Sequence, residues 1–168
     1  MVNYEIGLHS FEISREAVIT DSNLLIEAFL SNAPKQVEAR YFLDEFEHQW
    51  LIPIGVIVET WGFIVGKNSD WLGGYEFLAW LNTPGKELVI IGHDGEVADE
   101  RLLIERLKLD CVDAMIVNLA TKIFYECNLE KPLPVATYDT RDFMRLGGRM
   151  DIRIQVYDLN EVIIQDLG

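Results

Sequence analysis

Five short apolar runs, each parted from the next by a stretch of helical periodicity, limit the folds open to this chain more than any other feature. Residues 17–20 (AVIT) form the first run and end at Asp21; Leu24, Leu25, Ala28 and Phe29 then repeat at helical spacing. Asp21-Ser22-Asn23 reads as a strand end and helix cap. Pro34 opens a polar helical stretch reaching Trp50, and residues 51–58 give a second strand, or a strand-to-helix junction, that runs into Glu59. A helix is expected over 70–81, stopped by the turn signal Asn82-Thr83-Pro84-Gly85. Residues 87–92 (ELVIIG) are the third strand candidate, and 96–108 an acidic helix with Ala98, Leu102, Leu103 and Leu107 on one side. Asp110 starts a longer, largely buried helix whose stripe is Val112, Ile116, Leu119, Ala120 and Ile123. Residues 134–137 (PVAT) and 152–157 (IRIQVY) supply the fourth and fifth strands, the last alternating as an edge strand does. Strands separated by helices predict a mostly parallel, doubly wound sheet that binds ligands just beyond the carboxyl ends of its strands.

At 168 residues and 49% apolar, the chain suits one domain, 1–168, with its own core. Cys111 and Cys127 lie in one expected helix, roughly 24 Å apart along its axis, too far to bridge. Residues 1–14 carry neither a basic start nor an apolar leader, which points to the cytoplasm. The longest apolar stretch, 51–66, is broken by Pro53, Gly55, Glu59 and Gly62 and falls short of a membrane span. A net charge of −14 disfavours loose attachment to nucleic acid. Against that background, Arg141, Arg145, Arg149 and Arg153 face only Asp142 and Asp151 over 141–153, a local charge of +2. Four solvated arginines would give the same pattern.

The acids gain meaning from position. Asp21 follows AVIT, Asp139 follows VATY, and Asp110 and Asp113, three apart, open the buried helix on a shared face. Asp21 and Asp110 are equally good helix caps. Glu59 is harder to dismiss, because it interrupts LIPIGVIVETWGFIVG with no Lys or Arg within seven residues. A buried carboxylate needs a compensating charge, and Mg2+ or Mn2+ would compensate it together with the strand-end aspartates. Glu59 could instead face solvent or pair a distant arginine. Other chemistries fit less well: His9, His48 and His93 lack zinc spacing, and residues 62–68 have three residues between glycines where a phosphate loop has four. No G-x-S-x-G elbow is present.

Four segments in order resemble the PIN domains, a family that includes the ribonuclease toxins of VapBC toxin-antitoxin pairs. VITDSNLLIEAFL (18–30) is similar to the first motif, IPIGVIVETWGFIVG (52–66) to the second, LDCVDAMIVNLA (109–120) to the third and ATYDTRDF (136–143) to the fourth. The resemblance implies a three-layer α/β/α core over 18–157 with a parallel sheet of about five strands; the N-terminal extension over 1–14, the acidic charge and the acidic stretch 96–105 depart from the family pattern. It also implies a Mg2+- or Mn2+-dependent endoribonuclease with Asp21, Glu59, Asp113 and Asp139 as catalytic acids. Asp110 and Asp142 join them as metal ligands, and Ser22, Asn23 and Thr137 support them; Arg141 and Arg145, which follow Asp139 on the one stretch of net positive charge, are expected to bind substrate. RNA is the implied substrate, with an antitoxin protein and a second copy of the chain as further partners. Two rivals stand beside it: a PIN-like binding or regulatory module that cuts nothing, and a phosphatase of the haloacid-dehalogenase type, which would need Asp where Asn23 stands.

Overall fold

The computed structural model describes residues 2–6, 9–45, 49–92, 97–147, 149 and 151–166. An antiparallel hairpin opens it, β1 (Val2–Ile6) with β2 (His9–Ile13), so the N-terminal extension carries structure of its own. Buried Gln49 fastens it to the rest: its Oε1 accepts from Ser14 N at 2.9 Å and its Nε2 donates to Glu12 O at 2.9 Å.

The main sheet contains β3 (Val18–Thr20), β4 (Trp50–Pro53), β5 (Leu88–Ile91), β6 (Pro134–Thr137), β7 (Gln155–Asp158) and β8 (Ile163–Asp166), in the order β5-β4-β3-β6-β7-β8. The first five run parallel, and β8 lies antiparallel to β7. Every residue of β3 and β4 is buried, as are Val135, Ala136 and Thr137 of β6. Strands buried on both faces need helices on both sides. These are α1 (Ser22–Phe29), α2 (Gln36–Glu45), α3 (Ile54–Trp61), α4 (Trp71–Leu81), α5 (Val97–Leu107), α6 (Cys111–Glu126) and the short α7 (Arg141–Met144). Phe42 of α2 lies edge-on to both Trp50 and Tyr157. Phe29 of α1 meets Phe77 and Trp80 of α4. That close approach requires Gly73, where a Cβ would stand 2.2 Å from the Phe29 carbonyl oxygen.

Periodicity located most elements, but three expectations need correction. The helix expected from Pro34 to Trp50 is α2 over Gln36–Glu45, and Trp50 starts β4 instead of ending a helix. Strand β7 is not an edge, because β8 covers it; Ile152 and Ile154 precede it as buried loop residues. Leu102 faces solvent at 47% exposure, whereas Leu107 of the same expected stripe is buried. After Trp61 the chain continues as a π-helical turn, Gly62–Lys67. Cys111 and Cys127 are both free thiols. Among the described residues no helix is long and apolar enough to cross a membrane. His48 and His93 lie outside the described residues.

Candidate metal centre

The strand order reverses between β3 and β6: the chain builds outward to β4 and β5 on one side, then returns to the other side of β3. Such a switch point opens a crevice at the carboxyl ends of the strands. Asp21 follows β3 there, Thr137 ends β6, and Asp21 N donates to Ala136 O across the gap at 3.2 Å.

Asp21 caps α1 and is held from several sides. Its carboxylate accepts from Ser22 N at 2.6 Å, from Asn23 Nδ2 at 2.6 Å and from Thr137 Oγ1 at 2.8 Å. Thr137, fully buried, also accepts from Asn23 Nδ2 at 2.8 Å and from Asp139 N at 3.0 Å. Asn23 Oδ1 accepts from Tyr138 N at 2.9 Å, so Ser22, Asn23 and Thr137 fix Asp21 to the end of β6. A further support escaped sequence reading. Asp158 Oδ1 accepts from Asn160 N, and Asn160 Nδ2 donates to Tyr138 O at 2.8 Å, which ties the end of β7 to the same loop. The spacing Asp-x-Asn is the signal that could have revealed this turn.

Asp110 caps α6, accepting from Asp113 N at 2.8 Å, and Asp113 points inward from the first turn. Only 4% of Asp21 and 8% of Asp113 is exposed, and no described basic side chain pairs with either. Burial pushes the Asp21 carboxyl up to about 6, against the pull of the Thr137 and Ser22 hydrogen bonds, with the charges of Glu59 and Asp110 adding to the rise. Asp113 is pushed up to about 8, first by burial and then by the charges of Asp21, Asp110, Asp142 and Glu59. Glu59, half-buried on α3, is therefore within electrostatic reach of both aspartates.

Asp139 is placed differently. Its carboxylate turns to Arg141, whose Nε donates to Oδ1 at 2.9 Å and Nη2 to Oδ2 at 2.6 Å. That guanidinium holds the Asp139 carboxyl below the usual range. Arg145 pairs Asp142 at 2.9 Å and also donates to Lys108 O at 3.1 Å. The structure thus brings Asp21, Glu59, Asp110, Asp113 and Asp142 into one electrostatic neighbourhood and sets the Asp139 carboxylate beside an arginine.

Among the described residues no three His, Cys, Asp or Glu side chains form a ready-made ligand group for one ion. The donor set nevertheless suits a hard cation. Its donors are carboxylate oxygens, two of them on buried groups without a basic partner, and Mg2+ is held through one or two carboxylates with water completing its shell.

No family model matches the chain, and no curated protein matches it in sequence. Solved structures do. A toxin-antitoxin complex from Klebsiella pneumoniae is 22% identical with a TM-score of 0.53, covering 84% of this chain and 97% of its own. VapC20 of Mycobacterium tuberculosis, a sarcin-ricin loop cleaving toxin, is 11% identical with a TM-score of 0.56, covering 81% of this chain and 98% of its own. VapBC2 of Rickettsia felis, bound to a DNA fragment from its promoter, is 14% identical with a TM-score of 0.54, covering 84% and 99%. The chain has a VapC-like PIN-domain fold.

Proposed function

We propose that this VapC-like fold serves as a Mg2+- or Mn2+-dependent endoribonuclease. The observation that carries the reading is the pair Asp21 and Asp113: two buried carboxylates at the switch point, mutually repelling and without a described basic partner. Buried like charges are costly unless a cation compensates them. Asp21 and Asp113 would hold the ion, with Glu59, Asp110 and Asp142 alongside. When bound, the ion supplies a lowered water pKa and charge neutralisation for an in-line displacement at phosphorus. Thr137, Asn23 and Ser22 orient Asp21, and the cap of Asp110 on Asp113 N sets the first turn of α6. Arg141 and Arg145 stand at the rim, where their forked guanidiniums suit flanking phosphates.

The likeness to toxin-antitoxin structures supports a cytoplasmic toxin with an antitoxin partner. Ile54, Val58, Trp71, Leu72 and Tyr75 on α3 and α4 are exposed, apolar and uncharged, and offer such a partner, or a second copy of the chain, a surface in an otherwise acidic protein. Incubation of the protein with a panel of structured and single-stranded RNAs, with EDTA, Mg2+ or Mn2+, tests the nuclease. Cleavage that needs the ion and vanishes in Asp113→Asn is the expected result. RNA binding with no cleavage in any metal would instead support the non-cutting module.

A further inference from the structure

We infer that Arg141 and Arg145 are built-in counter-cations of Asp139 and Asp142, displaced from these carboxylates when a divalent ion binds, so that ion binding frees two guanidinium groups at the rim of the site. The inference rests on the metal-dependent reading above.

The five acids at the switch point and the acid at its rim do not share one environment. Asp21 and Asp113 are buried and have no described basic partner, whereas Asp139 and Asp142 each pair with an arginine two or three residues further along the chain. Arg141 grips Asp139 through two parallel N–H bonds, and its backbone N adds a third contact to Oδ1 at 3.2 Å. Nothing in the packing demands this grip, because the Arg141 side chain is 86% exposed. Arg145 does more, since one guanidinium nitrogen meets both Asp142 Oδ1 and the Lys108 carbonyl, linking α7 to the turn that leads into Asp110. The charge of Asp142 is felt at Asp113 even with Arg145 beside it, so Arg145 offsets only part of the repulsion that Asp142 adds to the site.

An ion that draws on Asp139 or Asp142 must compete with these guanidiniums. Exposed pairs of this kind are weak and screened by salt, which makes exchange easy. The two equilibria are then linked: removing the arginine strengthens ion binding, and ion binding loosens the arginine.

Two measurements that need no RNA test this. In the first, Mg2+ is titrated into protein labelled with 15N-arginine, and the Nε–H resonances are followed. Arg141 and Arg145 should move toward the free guanidinium position, and Asp139→Asn should move Arg141 the same way without metal. The second is Mn2+ affinity. Arg145→Gln should bind Mn2+ up to about fivefold more tightly at low salt, and Arg141→Gln should shift in the same direction, both gains fading at high salt. Arg153→Gln, which removes a charge bonded to the Ile152 carbonyl instead of to a site acid, should leave affinity unchanged. If the wild type binds Mn2+, Asp113→Asn abolishes that binding, and both arginine variants and both resonances stay put, the inference falls while the metal site stands. An equal gain in Arg153→Gln would also overturn it, by reducing the effect to net charge. If neither the wild type nor the arginine variants bind Mn2+, the metal reading and the inference fall together.

Discussion

Asp113 and Asp142 are the same residue type on helices that meet at one site, yet they sit in opposite conditions. Asp113 is 8% exposed, and the described charges that act on it are all acids, while Asp142 is half exposed and paired with Arg145. Asp21 and Asp139 repeat the contrast. What separates the members of each pair is burial combined with a local arginine. A carboxylate in water with an arginine two or three residues away can be satisfied within its own segment. One buried at a switch point, among other acids, must hold its proton to a higher pH or meet a cation.

The largest test of that contrast is catalytic. Asp21→Asn or Asp113→Asn should lower Mn2+-dependent RNA cleavage by about two orders of magnitude or more, since several kcal/mol of charge stabilisation are lost with the ion. Single-turnover rates at saturating Mn2+ measure it, and activity within tenfold of wild type would break the distinction.

Next in size is the pH dependence of stability without metal. Both buried carboxyls have folded values above the ordinary 3.8, Asp21 at about 6 and Asp113 at about 8. Between about pH 4 and about pH 8 the folded chain therefore holds more protons than the unfolded one, and stability falls as pH rises through that window. The rise at Asp21 alone corresponds to about 3 kcal/mol. Melting in EDTA should show this loss, Asp113→Asn should flatten its upper part and be the more stable protein at pH 8, and added Mg2+ should offset it. A metal-free wild type that gains stability from pH 6 to 8 relative to Asp113→Asn would contradict the assignment.

Thr137→Val tests the support of the buried member. It removes the hydroxyl shared by Asp21, Asn23 and the Asp139 amide, and should cost about 1–3 kcal/mol in denaturant melts. The smallest effect is expected at the paired member: Asp142→Asn should change stability by at most about 1 kcal/mol, because an exposed ion pair contributes little. Parity between these two substitutions would erase the difference between the buried acids and those paired with an arginine.

Much of the framework was legible in order along the chain. Residues 17–20 and 134–137 announced short buried strands, and the apolar stripe after Asp110 announced α6, because buried strands and amphipathic helices differ in period. Asp21 and Asp110 were legible as caps, and are caps, while also belonging to the acidic neighbourhood. Trp50 was less legible: an aromatic at the end of a polar run fits a helix terminus or a strand start, and its place beside Leu88 in the sheet decided the matter. The interior position of β7 likewise depended on β8 folding back, which alternation within 152–157 cannot report.

By itself the sequence determined which residues are strand ends, which are helix caps and that acids recur at those points, since these follow from periodicity and capping within a few residues. Only the tertiary structure decided which acids lose water and which meet an arginine. Asp21 and Asp113 are far apart in the chain, and their mutual repulsion exists only because β3, β6 and α6 converge at the switch point. Charge interactions fall off with distance in space and strengthen as water is excluded, and neither quantity is written in sequence spacing.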